Sequence, residues 1–434
     1  MKSKFKLFYL SFTLLFFHKS TWSQNVSLNY PSNGYVTSKS FIELCFSYQI
    51  GNSYEIQVAT DQNFNSIISA ANNISNGKFT VSNLIPNNKY FWRARISSPF
   101  QSSWSNTKTF TQFSPSNLNN LSLWLKADTA VTTNNGTVLS WNDLSANQYN
   151  LTQATTIRQP TQTQTFCNNK SAIKFDGNDF FEVINFDFGS NNTLFIACKR
   201  NSGSTQSRYI GGYGNSLEIC TEVAGFSGNL IAFYTTNEPS ILSVTRASGN
   251  NIVMKNDSLV GTSSTVFSPL ATGALYVGKS SFNNPNEFLN GEIAEIIITS
   301  SLINDSLISL TNNYLMDRYS EELYLGNDTT ILDNFCPFSL TTNSPFSSYL
   351  WSNGDTSSST TISAAGSYWL RAKDYFGRIH VDTILVQYPN YNQINSQPLC
   401  LGSQIVWNTG LNSNFNTLWQ NNTISNQFNI DTSG

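Results

Sequence analysis

Charge is scarce in this chain: Lys, Arg, Asp and Glu together make up 12% of its 434 residues, about half the ordinary share. The formal net charge is −2 and no basic run occurs. A surface that works by releasing counterions from a polyanion is therefore not expected, which argues against nucleic acid or anionic lipid as the main partner. Histidine is scarcer still, with only His18 and His380 in the sequence. His18 falls in a leader-like segment, so a zinc site needing several imidazoles from one chain is excluded. A Ser-His-Asp arrangement would have to recruit His380, which sits in the strand-like run RIHVDTILV with no nucleophile-elbow motif nearby. The expected reading is a solvated strand histidine. Six cysteines (Cys45, Cys167, Cys198, Cys220, Cys336 and Cys400) show no CxxC spacing, against metal ribbons and thioredoxin-like redox chemistry. Beyond the first residues, no apolar stretch is long enough to span a bilayer.

Asn, Ser and Thr fill the polar positions instead, and aromatic residues reach 14%. That mixture suits half-buried strands joined by polar turns. At the N-terminus, Lys2, Lys4 and Lys6 precede the apolar run Leu7–Phe17, and Thr21-Trp22-Ser23 supplies small residues for cleavage. Residues 1–23 thus read as a secretory signal, which places the mature chain outside the cytoplasm, secreted or attached to a cell surface. No membrane insertion is expected after its removal. An oxidising compartment permits disulfides. Cys198 (LFIACK) and Cys220 (SLEIC) lie in neighbouring strand-like segments and form the one candidate pair, the alternative being two small buried thiols.

The chain is too long for one ordinary core, and its patterns divide it. In residues 25–113, Tyr54, Ile56 and Val58 alternate with Glu55 and Gln57, and Tyr90, Trp92, Ala94 and Ile96 alternate with Arg93 and Arg95. Both are period-2 patterns of one-sided strands. Between them lies LIPNNKY (Leu84–Tyr90), and Trp104-Ser105 follows. These phrases resemble the fibronectin type III domain, whose corner tyrosine bonds back to the chain. The resemblance implies a spacer or binding module.

Residues 118–320 carry LSLWLKAD (Leu121–Asp128), VLSWNDLSAN (Val138–Asn147), AIKFDGNDFFEV (Ala172–Val183) and GEIAEIIITSSLINDSLISLTNNYLMDRY (Gly291–Tyr319). In this order they resemble the laminin-G-like, concanavalin-like jelly-roll domains of bacterial surface proteins. The resemblance implies a two-sheet sandwich closed by a short helix. Asn304 or Asp305 can cap that helix, and Leu307, Leu310, Tyr314 and Leu315 give it an apolar stripe. Residues 321–388 carry Cys336, YLWSNG (Tyr349–Gly354) and TTISAAGSYWLRAKDYFG (Thr360–Gly377) and look like a bacterial immunoglobulin-like repeat. Where that pattern has a second cysteine, Arg378 follows Gly377, so no disulfide is carried over to Cys336. Residues 391–434 start the pattern again: fifteen residues separate Trp351 from Gly366 and Trp419 from Gly434. Internal repetition of this kind reads as tandem stalk domains. The second copy reads as truncated, and disorder or poor packing is expected after about residue 390. The fold class expected is all-β, as tandem sandwiches.

No catalytic residue is assigned. Glycoside hydrolysis needs two carboxyls across one cleft; Glu292 and Glu295 are the obvious pair, but odd spacing on a strand sends them to opposite faces. Asp176, Asn178 and Asp179 bring oxygen ligands together in FDGNDFF, which suits calcium if other oxygens complete the shell. The alternative is an Asp-Gly turn held by its own side chains. Trp124 and Trp141 are expected in the core. Tyr209, Tyr213, Tyr234 and Phe282 lie in or near Gly/Asn-rich segments and are the expected rim of a ligand groove, while GGYG (Gly211–Gly214) reads as a turn. The functional expectation is a non-catalytic adhesion or carbohydrate-binding protein whose partner is an extracellular glycan or surface protein. The rival expectation is the non-catalytic portion of a larger exported hydrolase whose catalytic domain lies beyond Gly434.

Overall fold

A computed structural model describes residues 26–201, 207–213, 217–220, 223–226, 229–232, 235, 237–266, 272–281, 287–331, 336–389, 403–411 and 415–431. The leader-like residues 1–23 lie outside them. The protein is all-β, with one α-helix among the described residues. Two compact units divide between Gln112 and Phe113.

In the first unit, a three-stranded sheet (Leu28–Tyr30, Ile42–Phe46, Lys78–Val81) joins a five-stranded one of order Tyr35–Thr37, Lys108–Gln112, Lys89–Ser98, Ser53–Ala59, Ile67–Ile74. The alternating residues point as their period requires: Tyr54, Ile56, Val58, Tyr90, Trp92, Ala94 and Ile96 are all buried in one core. The Leu84–Tyr90 corner forms, with the Tyr90 hydroxyl accepting from the Ile85 amide at 2.7 Å. On the other face, Arg93 stacks on Phe64 (3.9 Å) and Trp104 (4.4 Å), and Arg95 lies on the same indole at 4.1 Å. Ser105 keeps Trp104 there: its hydroxyl accepts from the Ala94 amide at 3.1 Å.

Among the described residues of the second unit, two separate cores stand out. The larger belongs to a sandwich whose principal strands are β1 (Leu121–Lys126), β2 (Lys170–Asp176), β3 (Phe181–Asp187), β4 (Asn192–Arg200), β5 (Arg208–Tyr213), β6 (Leu217–Cys220), β7 (Ser240–Arg246), β8 (Thr272–Val277) and β9 (Asn290–Thr299). In one sheet, β9 pairs with β4 on one side and with β1 and β2 on the other, and β4 pairs onward with β7. In the second sheet, β8 lies between β3 and β5, and β5 pairs with β6. Leu123, Leu125, Ile173, Phe175, Phe181, Ile196, Leu275, Val277, Ile293 and Ile296 meet between them with Trp141. Each fully buried side chain of this size contributes about 1.5–3 kcal/mol.

Helix α1 (Asp305–Tyr319) covers the outer face of the first sheet. Asn304 is its cap, its side chain accepting from the Leu307 amide at 2.9 Å. The buried seam follows the expected apolar stripe only in part. It includes Tyr314 and Leu315 with Ile308, Thr311, Asn312 and Tyr319, while Leu307 and Leu310 are only partly covered. Asn312 is buried because it donates to Ser243 (3.2 Å) and Asp257 (2.9 Å).

Two of the four phrases, Leu121–Asp128 and Gly291–Tyr319, converge on Glu295, which is fully buried. Trp124 Nε1 donates to it at 2.7 Å, the Tyr314 hydroxyl at 3.0 Å and the Tyr319 hydroxyl at 2.9 Å. Arg318 pairs with it at 3.1 Å and reaches Asp128 as well. Burial pushes both tyrosine hydroxyls far above their ordinary range, and the Glu295 carboxylate adds to this. Trp124 is thus half-buried on the helix side rather than in the sandwich interior expected for it. In the SWNDLS phrase, Asp143 accepts from the amides of Trp124, Ser145 and Tyr149, which ties this turn to β1.

The smaller core gathers Leu340, Trp351, Ile362, Leu370, Ala372, Ile384 and Val386. Trp351 Nε1 donates to the Ser357 carbonyl (2.9 Å) and its amide to that of Asp355 (2.8 Å). The same bonds recur at Trp419, to Ser425 (2.6 Å) and Thr423 (3.0 Å). Here, where poor packing was expected, Ile405–Asn408 pairs with Gln427–Ile430 and Trp419 packs between Trp407 and Phe428. Val406, Leu418 and Ile424 are nevertheless exposed.

Candidate functional site

On the outer face of the second sheet, three half-buried aromatic rings gather around two cations. Strand alternation sends Leu275 and Val277 into the core and turns Tyr276 outward, opposite Glu182 on β3. Likewise Phe181 is buried, and Phe180 before it stays on the surface. Lys279 Nζ lies 4.2 Å from the centre of the Phe180 ring and 4.3 Å from that of Tyr276. Phe288 tilts against Phe180 at 6.0 Å, and Arg158 sits over Phe288 at 5.3 Å. Desolvation lowers the Lys279 pKa, and Arg158 lowers it further against the pull of Glu182. The arrangement offers apolar ring surface, fixed donors and one carboxylate acceptor within one patch.

Two features hold this patch in place. Gly278 takes φ +90°, and a Cβ there would meet the Phe175 ring at 2.5 Å; glycine lets the chain leave β8 without displacing the core. Ser281 and Glu287 are held as well. The Ser281 amide donates to Glu218 at 2.9 Å, and Arg208 bridges Glu218 and Glu287 at 3.2 Å each. Gly211 permits the close approach, since a Cβ at that position would lie 2.5 Å from the Ser281 amide nitrogen. Gly211 and Gly212 are therefore strand residues and not the turn expected from GGYG. Burial raises the Glu218 pKa, partly offset by Ser281 and Arg208.

Of the residues singled out from the sequence as a rim, Tyr209 is placed elsewhere. Tyr209 is fully buried in the core, its hydroxyl 3.0 Å from that of Thr235. A backbone bulge beside it explains the difference: the register of β5 on β6 shifts between Arg208 and Ile210, turning the ring inward. Tyr213 has its backbone paired with Ala274. Tyr234 and Phe282 lie outside the described residues. The sequence signal that would have found Phe180 and Tyr276 is the outward phase of alternation in FFEV and LYVGK, not Gly/Asn richness; no such period marks Phe288.

Cys198 and Cys220 are not a disulfide. They belong to opposite sheets, and Cys198 is a thiol bonded to the Tyr209 hydroxyl. Burial pushes it up to about 12. In the Asp176–Asp179 turn, Asp179 Oδ2 accepts from the Asp176 amide (3.1 Å) and Asp176 Oδ1 from the Asn178 amide (3.1 Å). The turn is thus held by its own side chains. Asp179 is buried, and burial, with a smaller push from the Asp176 carboxylate, raises it to about 6 against the opposing amide bond and Arg158. Among the described residues, no three His, Cys, Asp or Glu side chains converge as a metal site.

Two catalytic constellations can be tested on geometry. Glu292 and Glu295 were expected on opposite faces, but the register of β9 on β4 slips between Ala197 and Cys198. This bulge inserts Ala294 and puts both carboxylates on the helix side, since Ile293 and Ile296 are the core residues. Neither faces an open cleft: Glu295 is enclosed as described, and Glu292 pairs with Lys199 at 3.3 Å. His380 is not a solvated strand residue either. Its Nε2 lies 3.0 Å from Ser320 Oγ and 3.1 Å from Asp374 Oδ2, and Ser320 also bonds to Asp374 directly. A relay needs the serine and the carboxylate on different ring nitrogens. Here both share one.

No family model and no curated protein matches the chain. Among solved structures, domain 4 of AbnA, a GH43 extracellular arabinanase from Geobacillus stearothermophilus, in complex with arabinotriose, is 13% identical, with a TM-score of 0.34 over 45% of this chain and 98% of that one. The binding domain of Paraclostridial Mosquitocidal Protein 1 is 13% identical, with a TM-score of 0.35 over 59% and 64%. A mutant Trypanosoma rangeli sialidase displaying trans-sialidase activity is 9% identical, with a TM-score of 0.34 over 56% and 46%. Likenesses of this size carry no argument about what this chain does.

Proposed function

We propose that this is an exported, modular, non-catalytic binding protein whose jelly-roll sandwich recognises an extracellular glycan. The observation that carries the reading is the patch of Phe180, Tyr276 and Phe288 with Lys279, Arg158 and Glu182. A pyranose presents an apolar C–H face and a rim of hydroxyls; half-exposed rings meet the first, and fixed cations and a carboxylate meet the second. The non-catalytic reading is supported by the enclosure of Glu295, the Lys199 pairing of Glu292 and the single-nitrogen geometry at His380. Export is supported by the sequence of residues 1–23.

Binding of the full chain to a glycan array, with and without EDTA, tests the proposal. Specific retention that is weakened by Tyr276→Ala supports it. Retention of no glycan would sink it and leave a surface protein as partner. An EDTA-sensitive signal would give Asp176, Asn178 and Asp179 a calcium role.

A further inference from the structure

We infer that the turn Asp374–Arg378 is a latch that fastens the third sandwich to the jelly roll as one rigid body. A tight turn of this kind needs only its internal bonds, and it has them: Asp374 Oδ1 accepts from the amides of Phe376 (2.9 Å) and Arg378 (2.8 Å). The other carboxylate oxygen is directed elsewhere. Oδ2 meets the hydroxyl of Ser320, the cap of α1, and His380 Nε2. Asp374 is buried at this joint, and a buried carboxylate persists only where such partners offset its desolvation.

Three further contacts span the same boundary. Asn256, in the turn after Asn251–Lys255, donates to the Tyr375 carbonyl at 3.1 Å. Arg378 faces Asp317 of α1 at 3.6 Å. The Asn168 amide, in the turn before β2, donates to Glu321 at 2.6 Å, which pins the connecting residues on the jelly-roll side. Contacts therefore reach the turn and its connection from the helix end and from two separate hairpins. A loose string of domains would leave such groups to water.

Hydrogen exchange of the full chain, followed by mass spectrometry, tests the latch. Ser320→Ala removes the bridging hydroxyl and leaves the internal bonds of the turn intact. Asn256→Asp keeps the oxygen that accepts from Ile241 but loses the donor to Tyr375. Each variant is expected to speed exchange about tenfold or more in peptides covering both 320–325 and 374–378. Peptides 192–200 and 366–373, from the two cores, should stay as in the parent. Unchanged exchange, a rise confined to 374–378, or loss of protection in either core peptide would overturn the inference.

Discussion

On the helix side of the jelly roll, Glu295 is reached by an indole, two phenols and a guanidinium; on the far sheet, Lys279, Arg158 and Glu182 sit among three aromatic rings. The two clusters use nearly the same side-chain types. In the first, both carboxylate oxygens are consumed by neighbours and the group is closed to solvent. In the second, the rings remain half-exposed and the cations are held by ring faces. Side-chain type alone does not separate a closed structural cluster from an open one. Partner saturation and exposure do.

The comparison can be broken by removing one member from each side. Glu295→Ala strands a buried guanidinium and three donors, and it should cost about 3–5 kcal/mol, read as a lower urea midpoint for the jelly-roll transition. Tyr276→Ala should cost little stability but weaken glycan retention about tenfold, near 1.4 kcal/mol, read by titration of the best array ligand. If both substitutions lowered stability equally, the far cluster would be structural too.

Asp179 sharpens the picture at the edge of the patch. Its folded pKa is raised to about 6, so the folded state holds a proton that the unfolded chain releases near pH 4. That contribution is present at low pH and is lost as pH rises towards about 6. Asp179→Asn should therefore stabilise the domain by about 1 kcal/mol at pH 7 and change nothing at pH 4, measured by denaturation at both values. The smallest effect is expected at Cys198. N-ethylmaleimide should label it only after unfolding and without prior reduction, with no shift in the melting curve on adding a reductant.

Much of the fold was legible because alternation is a direct image of a one-sided sheet. Tyr54, Trp92 and Ile96 went inward as their period required, and Asn304 announced the helix start. The failures cluster at bulges. One extra residue at Ala294 put Glu292 and Glu295 on the same face, and another beside Tyr209 buried a ring expected at a rim. Bulges depend on the partner strand, so no single strand's sequence discloses them. The surroundings of His380 were hidden for a related reason: Ser320, Asp374 and His380 are brought together by a helix end and a turn, and no local period links them.

The tryptophan loop found at Trp351 and again at Trp419 has a consequence for how such a chain could grow. Around Trp351 and Trp419 main-chain bonds and one asparagine side chain close the loop: Gly354 and Asn422 both take left-handed backbones, at φ +88° and +64°, each amide returns to its tryptophan carbonyl, and Asn353 and Asn421 accept from the Asp355 and Thr423 amides. Most neighbouring side chains are free to drift provided that one indole, one small polar residue and one tolerant hinge persist. An ancestor could lengthen its reach by duplicating this motif, and the copies could then diverge almost beyond recognition while still nesting the same ring.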